Sequence, residues 1–358
     1  MVAIGPYTDV APIGLGLMSL TWRPVSAFQP DEETFAVIKA AIDNAGADRV
    51  LLNAGTFYGP SDDAYANLKL LRRFFDKYPQ LKDKVILNVK GGAIMKDYIE
   101  KDFAGLRFSA RLEDLRNDLV ELRRVLGSDE GGIQVHVYEP ARRDLNFSVE
   151  DTIKNLHTLQ KEGLFEHISL SEVGAETINT AAKTAKELGT QIVSVELEYS
   201  PFRTDIEQNG VFATCKEHGI PILAYSPVGK GFLGGQLKSR DDLPPGDIRA
   251  HQDLFSEENF PKNVKLAETF ASLAASHTPP CTPAQLALAW LLHQGTDTAP
   301  IIPIPGTTNA KRVLENMGAK DVKLDGEDGK ALSSQIGSFK AHGERYNAHA
   351  RASGTLFS

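Results

Sequence analysis

Eight short apolar runs, several rich in β-branched residues, alternate along this chain with helix-length amphipathic stretches, and that alternation limits the fold more than any other feature. The runs cover residues 13–17, 50–53, 85–90, 133–139, 168–171, 192–198, 222–226 and 301–304. Strands spaced by helical segments pair in parallel, and the helices cover the sheet. Eight such units favour an α/β fold closed into a (β/α)8 TIM barrel over an open, doubly wound sheet. The glycines agree. Gly14 and Gly16 lead into Leu17, Met18 and Ser19, and no Gly-x-Gly-x-x-Gly follows a strand and opens a helix, so a Rossmann site is not expected.

Helix boundaries are readable between the strands. Asp31, followed by Glu32, Glu33 and Thr34, is expected to cap a helix over 31–44. Ser148 opens another that runs to Lys161, and Thr282-Pro283 opens the one carrying Leu286, Ala289, Trp290 and Leu292. Gly46, Gly163, Gly189 and Gly219 fall where helices should end. The interval before the last βα unit is too long for one helix: a Pro- and Asp-rich loop over 241–253 precedes a further apolar helix over 264–275, an insertion of the kind that covers a barrel's active face. A helix and a polar tail follow Leu324. With 358 residues, 42% of them hydrophobic, and no linker or low-complexity stretch, residues 1–358 read as one barrel domain.

The formal charge of -8, with Lys and Arg dispersed among acids, argues against a nucleic-acid partner. Residues 1–10 lack the charged start and apolar run of a leader, and no later stretch approaches the ~18 apolar residues of a membrane span, so a soluble, cytoplasmic protein without a membrane partner is expected. Cys215 and Cys281 are too few for a disulfide framework or a zinc cage and read as ordinary thiols; no metal is expected.

Chemistry in a barrel gathers at the C-terminal ends of its strands. The second run leads into Asn53-Ala54-Gly55-Thr56-Phe57-Tyr58-Gly59, and the third ends in Val89-Lys90-Gly91-Gly92. A lysine ending so apolar a run is partly desolvated, and its charge is expected to lower the pKa of a nearby phenol from about 10. Such a phenol is a tunable general acid. Carbonyl reduction needs one, because negative charge grows on oxygen as hydride arrives at carbon.

These segments, with Tyr225-Ser226-Pro227 and Ile304-Pro305-Gly306 through Glu315-Asn316, resemble the aldo-keto reductase superfamily over nearly the whole chain. Gly16 through Pro24, Asn53-Ala54-Gly55, Glu139-Pro140-Ala141-Arg142 and Arg345-Tyr346-Asn347 resemble its fungal pyridoxal reductase branch. The superfamily's Asp, Tyr, Lys and His then fall on Asn53, Tyr58, Lys90 and Ala141, so two of the four have changed. The resemblance implies catalysis by Tyr58 and Lys90, with Asn53 accepting a hydrogen bond from Lys90 but supplying no charge. Ala141 cannot orient a carbonyl. His136, an odd five residues upstream, belongs to the opposite strand face and a lower level, and reads as structural. Arg142 is a candidate contact for the substrate's ring oxygen or the cofactor.

The resemblance also implies NADPH/NADP+ as cofactor. Its adenosine end would meet Gly306, Thr307, Thr308, Arg312, Glu315 and Asn316: a helix start after Gly306 offers backbone donors to phosphate, and Arg312 suits a 2′-phosphate. Ser226, Pro227, Gly229, Lys230, Gly231 and Leu233 would wrap the pyrophosphate. Ser171 and Glu172 would hold the nicotinamide amide, with Glu196 beneath the ring and Tyr199 beside it. Trp22 and Phe57 are candidates for a flat aromatic slot for a substrate ring. The expected reaction is NADPH-dependent reduction of a small aldehyde, pyridoxal to pyridoxine first. Another aromatic aldehyde or ketone, and a non-catalytic NADPH-binding subunit, are the alternatives. The chain could act as a monomer or a homo-oligomer.

Overall fold

A computed structural model describes residues 1–243, 247–324, 326–346 and 356. A hairpin of β1 (Val2–Ile4) and β2 (Tyr7–Val10) precedes eight barrel strands. These are β3 (Leu15–Gly16), β4 (Val50–Gly55), β5 (Val85–Gly91), β6 (Val137–Pro140), β7 (His167–Ser171), β8 (Ile192–Glu198), β9 (Ile222–Tyr225) and β10 (Ile301–Pro303). They pair in parallel in sequence order. The seam closes where Gly14 N–H donates to the Pro303 carbonyl (2.9 Å) and Gly16 N–H to that of Pro305 (3.2 Å), with a parallel bridge from Gly16 to Gly306. A Cβ on Gly16 would lie 2.8 Å from the Ile304 carbonyl, so only glycine permits this approach.

The expected eight-stranded barrel is therefore present, with shifted edges. The fourth run was expected from residue 133, but pairing along it is interrupted at His136. There the backbone N–H donates to the Leu87 carbonyl (3.2 Å) and the ring Nδ1 accepts from Leu87 N–H (3.1 Å), so the ladder starts at Val137. Asp31 is not the cap of its helix. The helix Asp31–Asp43 follows Pro30, and the Asp31 carboxylate pairs with Arg73 (2.7 Å). Ser148 and Thr282 cap as expected, each accepting from the N–H three residues on (3.0 and 3.2 Å). Gly46, Gly163, Gly189 and Gly219 all adopt positive φ at helix ends.

Two layers of contact hold the barrel. Outside, strand residues pack under helices such as Leu112–Leu126, Val149–Lys161, Ala175–Glu187 and Pro283–Gln294 in one continuous core. Inside, Leu51, Ile86, Val137, Val193, Leu223 and Ile302 fill the lower end, and the hairpin closes it with Ile4 and Val10. Side chains alternate across a strand, so two residues further up the inward positions are Asn53, Asn88, Glu139 and Ser169, and above them come Lys90 and Ala141. The interior thus turns from apolar to polar toward the strands' C-terminal ends.

The long insertion before β10 forms short 3-10 turns and the helix Phe260–Ser276. Arg249 Nη1 donates to the Lys230 carbonyl (2.9 Å), tying the insertion to the loop after β9, and Phe202, Phe232 and Phe255 stack beneath it (4.9 and 4.7 Å between successive centroids). After the helix Gly326–Ser338 the chain returns across this face. Asn263 exchanges hydrogen bonds with His342 (2.8 and 2.9 Å), Arg203 Nη2 donates to the Gly343 carbonyl (2.6 Å), and Glu344 N–H donates to Asp253 (2.8 Å). This return places Arg345 and Tyr346 over the barrel mouth. Asn347 lies outside the described residues.

Candidate active site

Tyr58 is carried by the turn after β4, and buried neighbours hold that turn. Thr21 Oγ1 donates to the Tyr58 carbonyl (2.6 Å), and Asn67 Nδ2 donates to Thr21 Oγ1 (2.9 Å) while its Oδ1 accepts from Gly55 N–H (3.3 Å). The phenol ring lies over Gly55, where a Cβ would come within 2.9 Å of it. Lys90 projects from the top of β5. Of the two glycines after it, Gly92 is pinned by Asp118, which accepts from Gly92 N–H (2.8 Å) and the Tyr138 hydroxyl (2.6 Å), and Gly91 leaves room for that carboxylate, which a Cβ would meet at 2.4 Å.

The two side chains meet as expected: Lys90 Nζ donates to Tyr58 Oη at 3.1 Å. The environment differs from expectation in two ways. First, Lys90 is not held by Asn53. Its ammonium is hydrogen-bonded to Glu196 Oε1 and lies 3.6 Å from Glu139 Oε1, while Asn53 Nδ2 donates to Glu196 Oε2 (2.6 Å). Second, burial outweighs the lysine's field and pushes the Tyr58 pKa up, to about 12, rather than down. The phenol therefore keeps its proton across the neutral range. Burial alone would lower Lys90, but Glu196, Tyr58 and Glu139 hold it well above the usual lysine value. Glu139 is raised by burial and by the Glu196 charge, and Asn88 Nδ2 and Ser169 Oγ both donate to its Oε2 (3.1 Å each).

Around this centre the expected residues divide. Trp22 and Phe57 do converge, but edge to face (80°), so they form a wall rather than a slot; Trp22 instead stacks on Tyr58 with centroids 5.3 Å apart. Arg142 is partly buried beside Ala141 and donates Nη1 to the Ala141 carbonyl (2.5 Å). Burial would lower its pKa, yet Tyr346, Tyr225 and Glu172 outweigh that and raise it. Tyr199 does not belong here. It points outward, packs on Trp290 (5.5 Å) and donates to Glu207 (2.5 Å), because an odd step from Glu196 reverses the strand face. The tyrosine that faces the site in its place is Tyr225, whose ring lies 5.9 Å from Lys90 Nζ.

The loop after β9 is folded on itself. Gly229 N–H donates to the Ser226 carbonyl (2.9 Å), and Gly231 and Leu233 N–H both donate to that of Val228 (3.1 Å), so these amides are engaged. Leu233 is wholly buried in the outer core, Pro227 is buried, and Gly231 makes room for Arg249, whose Nη1 a Cβ would meet at 2.7 Å. Lys230 faces Glu198 (3.6 Å) and donates to the Arg345 carbonyl (3.1 Å). In the last unit the helix Ala310–Met317 begins four residues after Gly306, not directly after it. Asn309 caps it, its side chain accepting from Lys311 N–H and its carbonyl from Arg312 and Val313 N–H (2.9, 3.1 and 3.2 Å). Thr307 Oγ1 accepts from Asn309 N–H (3.1 Å), Thr308 and Glu315 are partly exposed and Asn316 is buried. Arg312 is exposed and donates to Gln236 of the insertion.

Arg345 and Tyr346 were not expected to line the site. Arg345 pairs with Glu172 and, at 2.7 Å, with Glu198, and donates to Tyr225 Oη (3.1 Å); Tyr346 and Tyr225 share a hydroxyl hydrogen bond. Among the described residues, Ser171 Oγ is buried without a hydrogen-bond partner, and so is Ser19 Oγ beside the side-chain-free Gly306. Two orphaned hydroxyls on opposite sides of the face, with an exposed arginine at one end, fit a polar ligand. Among the described residues no cluster of His, Cys, Asp or Glu could hold a metal ion, and no helix is long and apolar enough to cross a membrane.

A closed parallel barrel with a buried Tyr–Lys pair at its strand ends is the arrangement of an aldo/keto reductase, and residues 12–336 match that family: the chain belongs to it. Its members are oxidoreductases that act on small carbonyl compounds with a nicotinamide cofactor. The chain is 33% identical over 348 residues to a putative pyridoxal reductase of Saccharomyces cerevisiae, covering 93% of this chain and 95% of that one. It is equally 33% identical to probable pyridoxal reductase 2 of Schizosaccharomyces pombe over 343 residues (94% and 95%) and to that organism's aldo-keto reductase yakc [NADP(+)] over 347 (94% and 92%). Among solved structures, a glycerol dehydrogenase of Gluconobacter oxydans superposes with a TM-score of 0.72 at 18% identity, covering 90% of each chain, a likeness of fold.

Proposed function

We propose that the chain, acting as one barrel domain, reduces an aromatic aldehyde with NADPH, with pyridoxal to pyridoxine as the leading reaction. The observation that carries this is the Lys90–Tyr58 contact of 3.1 Å, a protonated phenol at a buried cation where a carbonyl oxygen would need a proton. A nicotinamide cofactor, when bound, supplies the hydride. Tyr58 Oη gives its proton to the carbonyl oxygen as charge develops there, and Lys90 stabilises the phenolate left behind. Tyr58 is refilled from solvent after the alcohol leaves. Ser171 is the residue suited to hold the nicotinamide amide, and Arg312 to meet a 2′-phosphate, which favours NADPH over NADH.

The substrate reading rests on the wall and the cation. Trp22, Tyr58, Phe57 and Phe108 present an apolar aromatic face, and Arg142 sets a permanent positive charge within the field of Tyr58. A pyridine ring with an ionisable hydroxyl next to its aldehyde suits both, and two of the relatives are named pyridoxal reductases. The test is kcat/KM with NADPH for pyridoxal against a panel of benzaldehydes. Pyridoxal is expected to lead the panel and to lose that lead in Arg142→Met; a panel in which pyridoxal ranks last rejects the substrate assignment.

A further inference from the structure

The lysine of this site faces two carboxyl groups, and neither stands on the strand where the resemblance puts the charge. Position 53 on β4 holds an amide. Across the barrel on β8, Glu196 gives one oxygen to Lys90 and the other to Asn53. The hydrogen bonds run from Asn53 to Glu196, from Lys90 to Glu196 and from Lys90 to Tyr58, through residues 3%, 2%, 6% and 5% exposed in the order Asn53, Glu196, Lys90, Tyr58.

We propose that Glu196 is the positioning carboxylate of the reaction: it keeps Lys90 cationic and aimed at Tyr58, Asn53 holds it in place, and the charge usually set on the second barrel strand has moved to the sixth. This rests on Tyr58 being the proton donor. The residues at 53 and 196 suit each other. An amide at 53 donates to a carboxylate at 196, whereas an acid at 53 would repel it. A glutamine at 196 with an amide at 53 would leave the buried ammonium with no carboxylate in hydrogen-bond range, Glu139 lying 3.6 Å away.

Glu139 does not fill the role. Its nearer oxygen is 3.6 Å from Lys90 Nζ, outside hydrogen-bond range, and its other oxygen is taken by Asn88 and Ser169. Burial and the charge of Glu196 also favour its protonated form. The remaining groups that face the lysine are Tyr58 and the Tyr225 ring, and Arg142 lies within the field of Tyr58. Glu172, expected on the nicotinamide amide beside Ser171, is paired with Arg345 and accepts from Glu198 N–H, which leaves Ser171 the residue suited to that contact.

The experiment is a double-variant cycle of Glu196→Gln and Asn53→Asp, read by kcat and the pH profile of kcat/KM. Glu196→Gln is expected to lower kcat by about tenfold or more and to move the alkaline limb down by about one pH unit or more, as a buried lysine without its carboxylate loses its proton sooner. Asn53→Asp alone is expected to be slow as well, because it sets two carboxylates in contact. The double variant returns the charge to the second strand and should recover most of both losses. In the cofactor-free protein, the NMR titration of Lys90, assigned with Lys90→Met, should move down in Glu196→Gln and back in the double variant. Melting temperature and cofactor Kd track the fold; if Glu196→Gln does not fold, the proposal requires that adding Asn53→Asp restores folding. An unchanged pH profile in Glu196→Gln, a defect confined to cofactor Kd, or a double variant worse than either single one overturns the proposal. Tyr58→Phe separates the levels: if it is inactive while Glu196→Gln is normal, only the role of Glu196 fails, and if it is active, the reading of the site fails with it.

Discussion

Asp118 shows how much of the site is set by residues that touch no substrate. It is buried, accepts from Tyr138 and from Gly92 N–H, and so fixes the turn that presents Lys90. Burial raises its pKa from 3.8 to about 6, more than its hydrogen bonds lower it. A raised folded-state pKa means that the protonated form is the one folding favours. Its contribution to stability is whole below about pH 4 and is lost as pH rises through about 6. Asp118→Asn should therefore gain on the parent protein by up to about 3 kcal/mol between pH 4 and 6, read as the difference in denaturant midpoints. A difference that stays flat over this window would mean that Asp118 is ionised throughout. Tyr58 and Lys90 were legible because they end successive strands and carry the chemistry a carbonyl needs. The partner of Lys90 was not, because Asn53 and Glu196 lie 143 residues apart and only the closed barrel makes them neighbours. Tyr199 was legible, but its face was not: β8 shifts register between Ile192 and Ser194, and alternation beyond that point turns Tyr199 outward and Glu196 and Glu198 inward.

At the scale of elements, the surprise is the returning C-terminal segment. Its composition reads as a polar tail, yet Arg345 lies partly buried between two buried carboxylates, Glu172 and Glu198, and touches Tyr225. Composition cannot separate a solvated arginine from one that neutralises two acids brought together by β7 and β8. Removing it leaves Glu172 buried without its paired cation and Glu198 with Lys230 at 3.6 Å, and breaking a buried ion pair destabilises a protein by about 3–5 kcal/mol. Arg345→Met should thus lower the melting temperature clearly, while Arg345→Lys, which keeps the charge, recovers part of the loss. If Arg345→Met melted like the parent, the contact would be energetically idle. The N-terminal hairpin has a local signal too: Val2-Ala3-Ile4 and Tyr7-Thr8-Asp9-Val10 flank Gly5-Pro6 as strands flank a turn. The structure gives them the floor of the barrel.

The whole molecule follows from one gradient. Side chains of period two line the barrel interior, apolar at the hairpin end and acidic and basic at the other, so the closed sheet delivers a buried charge cluster to the face that the insertion and the tail cover. The eightfold alternation made the barrel legible from sequence, since each βα unit is a local pattern. The packing of the insertion and the tail on that face was not, because it depends on long-range contacts such as Asn263 with His342 and Arg203 with Gly343. The central claim, that this face reduces an aldehyde with Tyr58 as the acid, is met most directly by a single turnover. The protein is loaded with NADPH and mixed with pyridoxal, and the loss of cofactor absorbance is followed in the parent and in Tyr58→Phe. One equivalent of NADPH should be oxidised by the parent, with the step about 100-fold or more slower in Tyr58→Phe and NADPH bound equally by both. Bound NADPH that survives pyridoxal and every other aldehyde tried, or equal rates in the two proteins, would contradict the account.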